Sequence, residues 1–153
     1  MKERFVVAGG FETHALIWNE SCISDRLILI VPGNPGVAVF YVPFAASLAA
    51  SHPESGIVVV GHAGHDQKRS EKGGVFVDLF GQVEHKAQVL MHAFPSKHLV
   101  LIGHSVGSWI ILELLARGKV KPDFVFHLCP TFSFIYEGLS PLVKVVVTVS
   151  SFV

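Results

Sequence analysis

The sequence predicts an α/β fold, a doubly wound and mostly parallel sheet preceded by an antiparallel hairpin. Three observations carry that prediction. Short apolar runs at 27–31, 57–60, 98–102 and 124–128 are nearly continuous rather than alternating, the pattern of strands buried on both faces. Segments of helical period lie between them. Two further strand-like runs, with Gly9-Gly10 between them, precede the series.

The elements follow in chain order. Residues 5–8 and 14–18 read as paired strands around the Gly9-Gly10 turn. The run 27–31 ends at Pro32-Gly33. Phe40, Phe44 and Leu48 then recur at helical spacing, with Pro43 acceptable only in a first turn. The strand at 57–60 ends at Gly61. Val83, Ala87, Leu90 and Phe94 mark one apolar helix face, with Gln82, Glu84, His85 and Lys86 among the polar positions. After the strand at 98–102, residues 106–116 are apolar nearly all round, which predicts a buried helix. That helix stops at Arg117-Gly118, a C-terminal signature. The run 124–128 is the last strand. Alternating units of this kind give a right-handed, parallel arrangement whose chemistry sits beyond the carboxyl ends of the strands.

Bulk properties narrow the function classes. A chain of 153 residues suits one domain, and 50% hydrophobic content is too apolar for a disordered protein. Lys+Arg and Asp+Glu both number 12, so no basic stripe points to nucleic acid. Cys22 and Cys129 stand far apart without a CxxC pair and read as reduced thiols. The apolar run at 5–8 is too short for a signal-peptide core. No stretch reaches the ~18 uncharged apolar residues of a spanning helix. The run 142–153, interrupted by Lys144, is the most membrane-like segment.

The loops after the strands hold the chemistry. Gly103-His104-Ser105-Val106-Gly107 fits G-x-S-x-G, a weak motif alone but here set between an aliphatic strand and an apolar helix. That is the setting of an α/β-hydrolase nucleophile elbow, which makes Ser105 the candidate nucleophile. Gly103 and Gly107 leave out Cβ atoms where strand and helix converge. Acyl transfer needs two N–H donors for the oxyanion. One is expected from Val106, the other from Pro32-Gly33-Asn34-Pro35-Gly36. Prolines cannot donate, and of Gly33 and Asn34 the expected donor is Asn34. A plain β-to-α turn is the competing reading of this loop. Gly61-His62-Ala63-Gly64-His65 offers two histidines, an incomplete set for zinc, so no metal is expected and a pocket rim is the better reading.

These segments, with Phe40-Tyr41-Val42-Pro43-Phe44 and Gly81-Gln82-Val83-Glu84-His85-Lys86, occur in an order that resembles the lipid droplet-associated hydrolase family over about residues 5–131. The resemblance implies an α/β-hydrolase that cleaves lipid esters such as sterol esters through a serine. No cofactor is expected. The resemblance places such a protein peripherally at lipid droplets and endoplasmic reticulum, on the cytoplasmic side, with the droplet monolayer or that membrane surface as partner.

In this fold an acid and then a histidine follow the serine. After Ser105 the carboxylates are Glu113, Asp123 and Glu137, and the one histidine is His127. Glu113 falls on the buried helix and Asp123 at the wrong end of a strand. Glu137 is left as a weak acid candidate, and His127 reads as a packed strand residue. The family pattern runs beyond Val153, so residues 1–153 are expected to be a single, C-terminally truncated domain with an apolar insertion beginning at about 132–153. Such a chain is expected to expose a sheet edge and to be a poor esterase. The alternative from another class is a non-catalytic docking protein of the droplet surface. A thioesterase or acyltransferase is a third reading, because the elbow does not specify the acyl group.

Overall fold

The computed structural model describes residues 1–65 and 77–131. Six strands form one sheet: β1 (Lys2–Ala8), β2 (Phe11–Trp18), β3 (Arg26–Val31), β4 (Gly56–Val60), β5 (His98–His104) and β6 (Phe124–Leu128). Their order across the sheet is β1-β2-β4-β3-β5-β6. The β1–β2 and β2–β4 pairs are antiparallel, and β4, β3, β5 and β6 run parallel. The hairpin turns at Gly9 and Gly10, both at positive φ, where glycine carries no Cβ penalty.

The aliphatic runs split by alternation onto two covered faces. Ala15, Ile17, Leu27, Leu29, Val31, Val58, Val60 and Leu101 face one core with Val83, Ala87, Leu90, Ile110, Ile111 and Leu114. Leu16, Ile28, Ile30, Ile57, Val59 and Ile102 face the other with Ala38, Ala45 and Ala49. Helices α2 (Leu79–Gln88) and α3 (Val106–Ala116) cover the first face, and α1 (Val42–Ser51) covers the second. This is the doubly wound arrangement that continuous apolar strands require.

Three helical details refine the expectations. In α1, Pro43 sits in the first turn, but the buried residues are Ala45 and Ala49, while Phe40 and Phe44 are exposed. Small residues let the helix lie close to the sheet, so the phenylalanines take its flank. Helix α2 buries Val83 and Ala87, and the segment that continues it buries Leu90 and Phe94, as the period predicts, yet Gln82, His85 and Lys86 are buried too. Of the four polar positions only Glu84 is exposed. The helix is capped by Asp78, whose carboxylate accepts the Gly81 N–H at 2.7 Å. It runs on into a π-turn at Val89–Ala93 that lets Phe94 N–H reach Val89 O. Helix α3 ends as expected, with Gly118 at φ 62°.

Among the described residues β6 is an edge strand, and its Phe124, Phe126 and Leu128 are exposed. With Phe44, Leu48 and Val100 they line an open groove of about 660 Å³ on the α1 face. Cys22 and Cys129 are free thiols. No helix of the described residues is long and apolar enough to cross a membrane. Glu137 and the apolar stretch 132–153 lie outside the described residues.

Candidate active site

Strand β5 delivers His104 and Ser105 to the carboxyl edge of the sheet, beside the end of β3. Ser105 adopts φ 51° and ψ −121°, a conformation that costs a non-glycine residue about 1–3 kcal/mol and persists only where its surroundings enforce it. Four hydrogen bonds do so. Ser105 N–H donates to Leu128 O at 3.0 Å, which ties the elbow to the end of β6. Ser105 O accepts from Ser108 N–H at 3.0 Å and Thr131 N–H at 3.2 Å. Ser108 Oγ donates back to Gly103 O at 2.9 Å.

The glycines around Ser105 are fixed by contact. A Cβ on Gly107 would run into the carbonyl oxygens of Val31 and Pro32, and one on Gly103 would meet Ser108 Cα at 2.7 Å. Helix α3 thus starts against the backbone at the end of β3. Its first N–H, on Val106, has no intrahelical acceptor and lies at the positive end of the helix dipole.

The loop after β3 packs on the same elbow. A Cβ on Gly33 would lie 2.8 Å from His104 Nδ1 and 2.9 Å from Ser105 Cβ. Tyr41 then joins loop to elbow. Its hydroxyl accepts the Gly33 N–H at 2.7 Å and shares a hydrogen bond of 2.7 Å with His104 Nδ1. Burial raises the Tyr41 pKa, against the opposite pull of the Gly33 N–H. The Gly33 N–H is thus occupied by Tyr41. Asn34 is exposed, and its N–H is given no acceptor by the described residues; the Asn34–Pro35 peptide is cis.

A second layer of contacts holds this loop from behind. Gly36, at φ 81°, donates its N–H to Gly33 O at 2.7 Å and accepts the His62 N–H at 2.8 Å. A Cβ on Gly36 would meet His62 Cδ2 at 2.5 Å. His65 donates from Nδ1 to Pro35 O at 2.7 Å. Burial, then the Lys86 charge, pushes the His62 pKa down to about 2, and the same two causes push His85 down to about 3. Both imidazoles are neutral near pH 7. His85 uses its nitrogens accordingly. Nδ1 accepts from Lys86 Nζ at 3.1 Å, and Nε2–H reaches Thr13 Oγ1 at 2.9 Å.

The expected residues are thus brought together in part. Ser105, Gly103, His104, Val106 and Gly107 form one elbow, and the Asn34 loop abuts it. His62 and His65 pack edge to face with ring centroids 5.6 Å apart, behind the Asn34 loop; no group of three metal-ligating side chains occurs among the described residues. Ser105 Oγ lies 3.3 Å from Thr131 Oγ1, its one hydrogen-bond partner among the described residues. Asp123 accepts the Leu99 N–H at 2.9 Å, at the opposite end of the strands. Glu113 pairs with Arg117 at 2.9 Å. Neither serves Ser105.

Residues 24–150 match the profile of the lipid-droplet associated hydrolase family. The chain belongs to this family. Proteins named lipid droplet-associated hydrolase are similar to it in Dictyostelium discoideum (34% identity, 92% of this chain and 49% of the relative), Drosophila melanogaster (32%, 90% and 50%) and Homo sapiens (34%, 89% and 50%). The chain spans about half the length of the curated relatives it matches. Among solved structures, it resembles a thioesterase domain from the curacin biosynthetic pathway, with a TM-score of 0.73 at 18% identity over 99% of this chain and 53% of that one. It also resembles a haloalkane dehalogenase from Agrobacterium tumefaciens, with a TM-score of 0.68 at 19% identity over 84% and 41%. These likenesses establish the α/β-hydrolase fold.

Within this family member, Tyr41, Gln82 and Lys86 are the site-supporting residues that sequence reading passed over. Tyr41 and the Gln82–Lys86 helix both fall in segments that carry the family resemblance, but nothing in their spacing tells which backbone atoms they reach.

Proposed function

We propose that this chain carries the nucleophile half of a serine hydrolase acting on lipid esters by acyl transfer at Ser105. The observation that carries the reading is the strained Ser105 on a strand–helix elbow, packed against a loop whose Asn34 N–H has no acceptor among the described residues. In the reaction, Ser105 Oγ bonds to the ester carbonyl carbon as its proton passes to a base. The carbonyl oxygen becomes an oxyanion that accepts from the Asn34 and Val106 N–H groups. The alcohol leaves with a proton, and water then releases the acid from Ser105 by the same route. Occupation of the Gly33 N–H by Tyr41 supports Asn34 as the loop's donor.

The name of the relatives supports a lipid droplet as the setting. Sterol esters or related carboxylic esters are the substrate class, met peripherally at the droplet monolayer or the cytoplasmic face of the endoplasmic reticulum. Among the described residues no histidine or carboxylate bonds Ser105, which supports weak catalysis by residues 1–153 alone. An oxyanion hole without its triad partners leaves about 10³–10⁴-fold acceleration over water. Mixed with p-nitrophenyl acetate, the 153-residue chain is expected to give no Ser105-dependent burst. A burst that Ser105→Ala abolishes contradicts that impairment.

One observation favours a second reading, a docking role at the droplet surface: Phe124, Phe126 and Leu128 present apolar surface beside the groove. Assays of the full-length protein on sterol esters separate the two, since docking alone leaves Ser105→Ala indistinguishable from the parent.

A further inference from the structure

We propose that Gln82 and Lys86 of α2 are positioning residues for the oxyanion loop, acting on Asn34 through the loop after β4. The inference deepens the acyl-transfer reading and rests on it for its catalytic consequence. Gln82 is buried, and both ends of its amide are used on one residue: Oε1 accepts the Ala63 N–H at 2.9 Å, and Nε2 donates to Ala63 O at 2.8 Å. Ala63 is thereby paired as a neighbouring strand would pair it, beyond the point where β4 ends. One turn further along the helix, the fully buried Lys86 donates from Nζ to Gly61 O at 2.6 Å.

The clamped segment Gly61–Ala63 is the one that grips the oxyanion loop. His62, between the two clamped residues, donates its N–H to Gly36 O and packs its ring against Gly36. His65 holds Pro35 O, and Gly36 closes onto Gly33. Asn34 is therefore fixed through the residues on both sides of it, and on one of those sides the anchor leads back to α2. Polar side chains on a helix are ordinarily placed in water. Burying an amide costs free energy unless it is fully bonded, and here both ends of the Gln82 amide go to the backbone of one loop, which Lys86 Nζ also reaches at Gly61 O. A misplacement of about 1 Å in a reacting geometry costs on the order of 10²-fold in rate. Gln82 touches neither Ser105 nor the expected oxyanion position, so its effect is on placement.

The chain has two asparagines, Asn19 and Asn34, so selective ¹⁵N-asparagine labelling gives two backbone amide resonances. In the folded 153-residue chain, Gln82→Leu is expected to shift the Asn34 resonance and speed its hydrogen exchange while Asn19 stays in place. Gln88→Leu is the control, because Gln88 on the same helix bonds Gly9 N–H instead and should move neither. Where Gln82→Leu fails to fold, Gln82→Glu is read in the same way, since it keeps the acceptor for Ala63 N–H and loses the donor. A folded variant whose Asn34 resonance and exchange match the parent overturns the proposal. In the full-length protein the expected kinetic result is a fall in kcat of about ten- to a hundredfold with KM unchanged. If the parent protein shows no Ser105-dependent chemistry, the acyl-transfer reading fails, and the Asn34 resonance still decides the positioning claim.

Discussion

At the scale of single residues, the site is a matter of where Cβ atoms cannot go and where protons are already committed. Gly107 touches the carbonyl oxygens at the end of β3, so Gly107→Ala forces either α3 or β3 to move. Its expected cost is about 1–3 kcal/mol, seen as a lower urea midpoint at unchanged m-value. Tyr41→Phe keeps the ring and removes the hydroxyl, leaving the Gly33 N–H without its acceptor and His104 Nδ1 without this partner. That variant should lose about 1–3 kcal/mol, and the Gly33 amide should exchange faster with solvent. Ser105 and its glycines were legible in the sequence because an elbow demands particular residues at fixed offsets. Tyr41 was not legible, because a hydroxyl reaching a backbone N–H eight residues away leaves no periodic trace.

At the scale of elements, strands announced themselves better than helical faces did. Each strand lies where an apolar run predicted it, extended by one to three residues at some ends by ladder pairing. The faces of α1 and α2 differ from the pattern for two physical reasons. In α1 the sheet accepts alanines at close range and leaves the larger Phe40 and Phe44 outside. In α2 three polar residues are buried because the loop after β4 offers backbone partners and Thr13 of β2 a hydroxyl to satisfy them. Hydrophobic periodicity ranks Gln82, His85 and Lys86 as solvent-facing, since it cannot see such partners. Removing one partner of such a set leaves the others buried and unmet. Thr13→Val, which empties the position beside His85 Nε2, should therefore cost about 1–3 kcal/mol in a urea titration.

At the scale of the whole molecule, the buried histidines give stability a pH dependence of defined sign. His62 and His85 fall from an ordinary value of 6.5 to about 2 and about 3 in the folded chain. The unfolded chain binds more protons than the folded one below about pH 6.5. Stability contributed by the neutral forms is therefore present above that pH and is lost as pH falls toward 3. The slope approaches about 1.4 kcal/mol per pH unit for each histidine. Urea titrations at pH 7, 6 and 5 should show a falling midpoint, and His85→Gln should flatten the fall. The doubly wound sheet and its hairpin were legible in the chain as a whole. The central claim remains that Ser105 is placed as the nucleophile of an acyl-transfer site. Its most direct test is to treat the full-length protein with a fluorophosphonate and locate the adduct by peptide mass spectrometry. The account predicts a single phosphonylated site at Ser105, absent in Ser105→Ala; a protein that folds, yet stays unmodified at Ser105, contradicts it.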